Sequence, residues 1–186
     1  MIKLTKAIIV ILVLASGSLQ AQELSYEKGD HLFNAGIGLG YYGNNFIYRR
    51  AATIPAVEAS LELGIHEYFG VGAYAGLVSW NYDAFNFDGR QSIFTIGARG
   101  SFHYSSLLEE LLESDFKSDK LDLYVTLIMG LEFRSYNGDF TTSNSADIFV
   151  GPVLGARYYF NPKLAVYAEG GRGSFSILKF GITLKI

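Results

Sequence analysis

Residues 121–137, LDLYVTLIMGLEFRSYN, carry two interleaved series. Leu121, Leu123, Val125, Leu127, Met129, Leu131 and Phe133 make one; Asp122, Tyr124, Thr126, Ile128, Gly130, Glu132 and Arg134 make the other. A period of two puts successive side chains on opposite faces of a β-strand, so this segment reads as a strand with one wholly apolar face. The question it poses is which solvent that face meets.

The same alternation recurs. HLFNAGIGLGYY (31–42) sets Phe33, Ala35, Ile37, Leu39 and Tyr41 against Asn34, Gly36, Gly38 and Gly40. VEASLELGI (57–65), FGVGAYAGL (69–77), FTIGARGSFHY (94–104) and IFVGPVLGARYYF (148–160) repeat it, and LAVYAEGG (164–171) and ILKFGITLKI (177–186) bring the strands to eight. Pro152 removes one ladder donor from the sixth. Short links fall near 66–68 and 161–163. Longer polar links fall at 43–54, 81–91 and 135–146, and a Gly-rich one at 171–175. The stretch 105–119 interrupts the short-link side. Ser106-Leu107-Leu108-Glu109 has the spacing of a capping box, and Leu107, Leu108, Leu111 and Leu112 share a helical face, which predicts a short rim helix.

Eight alternating strands without helical crossovers predict an all-β fold, an antiparallel up-and-down barrel. Two barrels share this alternation. A lipocalin-like barrel buries the apolar face around a ligand; an outer-membrane barrel turns it outward. Three features favour the second. The polar face is mostly Gly, Ser, Thr and Tyr, which suits a narrow lumen rather than a wetted sheet. Its charges are balanced, with Glu58, Glu62, Glu132 and Glu169 against Arg99, Arg134, Arg157 and Lys179, as charges held away from bulk water must be. Aromatic residues gather at strand ends: Tyr41, Tyr42, Trp80, Tyr82, Phe85 and Phe87 toward the long links, Tyr68, Phe69, Phe102, Tyr104, Tyr158 and Phe160 toward the short ones. Composition agrees. The 186 residues are 49% hydrophobic and 18% charged, against about 25% charged in a typical soluble domain. No apolar run is long enough for a spanning helix. A net charge of −3 without a basic stripe excludes a nucleic-acid partner.

The N-terminus, MIKLTKAIIVILVLASGSLQAQ, has a basic start at Lys3 and Lys6, a short apolar core and small residues ending at Ala21. That is the pattern of a cleaved secretory signal, 1–21. Residues 22–30 then form a short N-terminal periplasmic segment, and 31–186 the barrel. The chain has no cysteine and so no disulfides.

LDLYVTLIMGLEF, GPVLGARYYF and the alternating terminal FGITLKI resemble the small eight-stranded outer-membrane β-barrel domain family of Gram-negative bacteria, the class of the OmpA transmembrane domain and the OmpX-type barrels. The likeness spans roughly residues 24–186. It implies a monomeric, non-enzymatic transmembrane barrel in the cell outer membrane, with the rim helix on the periplasmic side. Its partners would be outer-membrane lipids and lipopolysaccharide, with periplasmic chaperones and the barrel-insertion machinery during biogenesis. The C-terminal strand looks like the signal that machinery reads, although it ends in Ile186 rather than an aromatic. Envelope structure or surface contact through the outer loops is the function implied. The alternatives are a narrow channel for small solutes and a soluble exported lipocalin-like binder.

Motifs for chemistry are few. Gly38-Leu39-Gly40-Tyr41-Tyr42-Gly43 matches G-x-G-x-x-G, but no helix follows to hold a pyrophosphate. His31, His66 and His103 lack metal-ligand spacing, and no cofactor is expected. His103-Tyr104-Ser105 has the His-x-Ser spacing of outer-membrane lipid A deacylases, but on the opposite side of the membrane and with no evident acidic partner. Asn81, Asp83, Asn86 and Asp88 read as turn formers before they read as a calcium site. Arg49, Arg50 and Arg90 are candidate contacts to lipopolysaccharide phosphates. Counting back from a turn near Pro162 places Arg157 opposite Tyr167, and from one near Gly173 places Glu169 beside Lys179. Glu169 is thus expected between Arg157 and Lys179, with Arg99 and Glu62 extending the cluster across the lumen.

Overall fold

The computed structural model describes residues 25–39, 52–84, 87–112, 119–138, 141–173 and 176–186. Strands β1 (His31–Leu39), β2 (Ala52–Gly64), β3 (Phe69–Ala84), β4 (Phe87–His103), β5 (Leu121–Gly138), β6 (Thr141–Asn161), β7 (Leu164–Gly171) and β8 (Leu178–Lys185) form a closed antiparallel barrel in sequence order. β8 closes on β1 from the Leu32–Lys185 pair to the Leu39–Leu178 pair. Closure leaves no free edge within the barrel wall.

Alternation sorts the side chains as the sequence predicts. On β5, Asp122, Tyr124, Thr126, Ile128 and Glu132 are buried, while Val125, Leu127, Met129, Leu131 and Phe133 lie on the surface. The same holds around the wall. Leu61 (55% exposed), Leu127 (54%) and Leu154 (63%) face out, while Glu62, Arg157 and Glu169 are almost fully enclosed. The exterior is therefore apolar and the interior is where the charges are.

The barrel's ends differ from the sequence reading. The stretches 81–91 and 135–146 are not polar links. β3 and β4 stay paired out to Ala84–Phe87, and β5 and β6 out to Gly138–Thr141. Turn-forming side chains end the apolar alternation there, but backbone pairing continues without it. β6 pairs with β7 only from Val153 onward, so among the described residues Thr141–Gly151 has ladder partners on β5 alone. Among the described residues β3–β6 thus extend beyond the rest of the wall as a sheet whose β6 edge has no ladder partner. Pro152 fits here. Its carbonyl, and with it its donorless nitrogen, faces the β7 side just where that ladder ends, and the oxygen accepts from Arg172 N at 3.0 Å.

Trp80 is not a girdle residue. It is buried inside the barrel with Val78 and Ile93, against Ala56. A second interior cluster joins Tyr74, Ile128 and Val153, with Phe149 packed on it. At the short-turn end the aromatic residues do face outward, Phe69 against Phe102 and Tyr158 against Phe160. The predicted helix exists as α1 (Ser105–Leu112), but Ser106 does not start it. Leu108 N donates to the Tyr104 carbonyl, so Tyr104 is the cap.

Candidate functional site

The lumen holds one continuous network of ions and hydrogen bonds. Lys179 Nζ donates to Glu58 Oε1 and Glu169 Oε2, each at 2.6 Å. Glu169 Oε1 accepts from Arg99 Nη2 at 3.0 Å and from the Tyr124 hydroxyl at 2.9 Å. Arg99 Nε lies 3.2 Å from Glu62 Oε2, which also takes Arg157 Nη2 at 3.1 Å. Arg157 Nη1 continues to Asp122 Oδ2 at 2.8 Å, with its guanidinium 4.1 Å above the Tyr124 ring. His103 closes the circuit, Nδ1 on Asp122 Oδ1 at 2.8 Å and Nε2 on Glu62 Oε1 at 2.7 Å. Ser60 and Thr126 receive the remaining Arg99 donors.

The charge count of this network is closed. Glu58, Glu62, Asp122 and Glu169 are four carboxylates, met by Lys179, Arg99, Arg157 and His103. An imidazole donates from both nitrogens only as the imidazolium, and both of these nitrogens face a carboxylate. Ions removed from water are tolerated when partners and hydrogen bonds replace hydration. Here every charged group has an opposite partner, while Glu58 Oε2, Arg99 Nε and Arg157 Nε are buried without a hydrogen bond. Glycine makes the room. A Cβ on Gly155 would lie 2.2 Å from the Tyr124 ring, and one on Gly36 would lie 2.3 Å from the Tyr167 hydroxyl.

Of the residues expected in the lumen, the structure joins Glu58, Glu62, Arg99, Arg157, Glu169 and Lys179. Register places Arg157 opposite Tyr167 and Glu169 opposite Lys179. The basic partner of Glu169 other than Lys179 is Arg99, however, because Arg157 is held by Glu62 and Asp122. Glu132 and Arg134 stand apart, nearer the long-loop end. Arg134 Nε donates to Glu132 Oε1, its Nη1 lies 3.7 Å from Asp147, and its side chain is 44% exposed, so it stands at the mouth rather than inside. Asp122 and His103 were missed as network members. Their place in the alternation marks them as inward, but their partners sit on strands that sequence spacing alone does not bring together.

His103 therefore has two acidic partners, contrary to the sequence reading. They engage both nitrogens, and Ser105 gives its oxygen to Leu123 N–H, so no hydroxyl reaches the imidazole. Among the described residues no cluster of His, Asp and Glu converges on a metal position. Gly38 lies in β1, where a Cβ would meet Ser176 at 2.5 Å. Arg90 is exposed, its Nε donating to Ser79 Oγ at 2.9 Å. Arg49 and Arg50 lie outside the described residues, as do residues 1–21, expected to be a signal, and the side chains of Asp83, Asn86 and Asp88.

A closed up-and-down barrel that is apolar outside and ionic inside is the architecture of barrels whose surrounding solvent is lipid. Solved structures agree. The N-terminal β-barrel domain of Pseudomonas aeruginosa OprF is similar at a TM-score of 0.53 and 10% identity, covering 86% of this chain and 98% of that one. The Yersinia pestis outer membrane protein Ail, in a phospholipid bilayer nanodisc, is similar at 0.50 and 10% identity, covering 86% and 100%. No protein-family description and no curated protein sequence matches the chain. At such identities the likeness is one of fold, and the fold is that of the small eight-stranded outer-membrane β-barrels.

Proposed function

We propose that this protein is an integral, non-enzymatic barrel of the bacterial outer membrane, exported by its 1–21 signal, with a sealed lumen and its working surface on the long-loop side. The observation that carries this reading is the inverted polarity: exposed Leu61, Leu127, Leu154 and Ile182 around a buried, charge-matched network. Such an exterior is costly in water and suited to hydrocarbon. The short turns and α1 then face the periplasm.

Envelope structure or surface contact follows from what the outer end offers. Among the described residues β3–β6 project beyond the rim, and Thr142–Ile148 of β6 is exposed on both faces along an edge that has no ladder partner. An unpaired edge can accept a strand from another chain. Arg90, with Arg49 and Arg50, is proposed to meet lipopolysaccharide phosphates, for which guanidinium is well matched. A small-solute channel is disfavoured by a lumen filled with Arg99, Arg157, Tyr124 and the Trp80 and Tyr74 clusters.

The test is membrane behaviour and conductance together. The folded protein should stay with membranes through a carbonate wash, migrate differently in detergent gels with and without boiling, and leave planar bilayers silent at low voltage. Loss on washing would favour the soluble binder, and steady conductance the channel.

A further inference from the structure

The segment ahead of β1 is seated inside the barrel's short-turn mouth. Ser25 and Tyr26 are buried although they precede the wall. The Tyr26 ring stacks on the His103 imidazole with centroids 3.4 Å apart and planes 6° from parallel. The segment is tied down at its far end. Gly29 N donates to the Gly64 carbonyl and Gly64 N to the Asp30 carbonyl, both at 2.8 Å, and Asp30 pairs with Lys185 at 2.8 Å. Gly29 has φ of 95°, which favours glycine.

The wall is cut to receive it. A Cβ on Gly64 would lie 2.4 Å from the Glu27 carbonyl, and one on Gly70 would lie 2.6 Å from Glu62 Oε1 and 3.0 Å from the Tyr26 hydroxyl. Burial, with the Glu62 carboxylate behind it, pushes the Tyr26 hydroxyl's pKa up, so it fills this space as a neutral group. Behind Tyr26 lie His103, Glu62 and Asp122, the short-turn end of the ion network.

We propose that residues Ser25–Asp30 are a detachable stopper: Tyr26, seated on His103 between Gly64 and Gly70, closes the short-turn mouth and keeps water off the ion network, and it leaves its seat while the barrel stays folded. The inference goes beyond the membrane reading and does not depend on it. Among the described residues the segment's backbone meets the wall at Gly64, and Asp30 pairs with Lys185, whereas the strands are paired on both sides along the closed wall. Segments held in that way open separately from the body they rest on. A stacked imidazolium and phenol add attraction at the seat without joining the barrel's own pairing.

The chain has no cysteine, so one can be placed cleanly. Ser101 is buried one inward step beyond His103 on β4. In Ser101→Cys protein folded in detergent micelles, a small water-soluble methanethiosulfonate should label the thiol slowly. Adding Tyr26→Ala should raise the labelling rate roughly two- to tenfold, the order expected when a stacked aromatic contact is lost from a local opening equilibrium. Gly29→Val, which strains the strap without touching Tyr26, should also raise it. In both variants the unboiled gel mobility should stay that of the closed barrel. Equal rates in the three backgrounds would overturn the proposal, because Tyr26 would then not be what seals the mouth. Loss of the closed-barrel mobility in both variants would overturn it too, because the segment would then be part of the wall's stability rather than a stopper.

Discussion

Glu62→Gln isolates the worth of the ion network. Glu62 is fully enclosed and meets three cationic groups, with Oε2 on Arg99 at 3.2 Å and Arg157 at 3.1 Å, and Oε1 on His103 at 2.7 Å. Glutamine keeps the shape but presents an amide N–H₂ to at least one of those donors. It also leaves four cations against three carboxylates, Glu58, Asp122 and Glu169. Removing one partner from a buried ionic group costs roughly 3–5 kcal/mol. The lower end applies here, since Arg157 retains Asp122 and Arg99 retains Glu169. A loss of about 3 kcal/mol corresponds to a urea midpoint lowered by about 1–3 M at ordinary slopes for small proteins. The assay is urea unfolding of barrels folded into lipid vesicles, read by the mobility difference between unboiled and boiled samples. Arg157→Met alone should also destabilise, and the double variant should fall short of the sum by roughly 0.5–3 kcal/mol, because the two share one contact. Additive losses, or a Glu62→Gln midpoint within about 0.3 M of the unaltered protein, would refute the claim that these charges depend on one another.

Two further substitutions test the wall. Leu127→Arg, on an exposed and central position of β5, should cost roughly 2–4 kcal/mol of folding in vesicles if that face meets the bilayer midplane, and unchanged folding would reverse the facing assignment. Gly155→Ala puts a methyl 2.2 Å from the Tyr124 ring, whose hydroxyl is bound to Glu169, so the yield of heat-modifiable barrel should drop sharply while Gly100→Ala, with nothing within 4 Å of its added carbon, should fold as well as the unaltered protein.

Much of the wall was legible because period two is a property of backbone geometry. Leu121 to Phe133 faced outward as read, and the tight turn near Pro162 fixed the Arg157–Tyr167 register by counting. Strand ends were not legible. Asn81, Asp83 and Asp88 are turn formers by composition, yet Asn81 pairs with Arg90 and Asp83 with Asp88 in the β3–β4 ladder. Pairing above an apolar belt needs no apolar side chains, so the signal used to find strands stops before the strands do. Trp80 was misread for a different reason. Its aromatic character suggested a girdle, while its even position in the series of Tyr74, Gly76 and Val78 marked it as inward, and register prevailed. The cross-lumen contacts were beyond sequence counting altogether. Glu62 and Arg157 are 95 residues apart and sit on β2 and β6, which are not neighbours in the wall. Alternation tells which side chains enter the lumen, and only the barrel's diameter and tilt decide which of them meet.

That same non-neighbour pairing bears on how the barrel comes into being. Arg99 of β4 binds Glu62 of β2 and Glu169 of β7, Arg157 of β6 binds Glu62 of β2, and Lys179 of β8 binds Glu58 of β2. A hairpin satisfies none of these cross-lumen bonds, although His103–Asp122, Arg157–Asp122 and Lys179–Glu169 join neighbouring strands. Inserted into hydrocarbon in that state it would leave Glu58, Glu62 and Arg99 without their partners. The order of events is thereby constrained: strands β2 and β8, at opposite ends of the chain, must approach before the interior is tolerable to lipid. Insertion one hairpin at a time is penalised, and curling shut at the moment of entry is rewarded. For a barrel that enters lipid, the same ions that are silent once it is finished would favour a ring already closed over one still open.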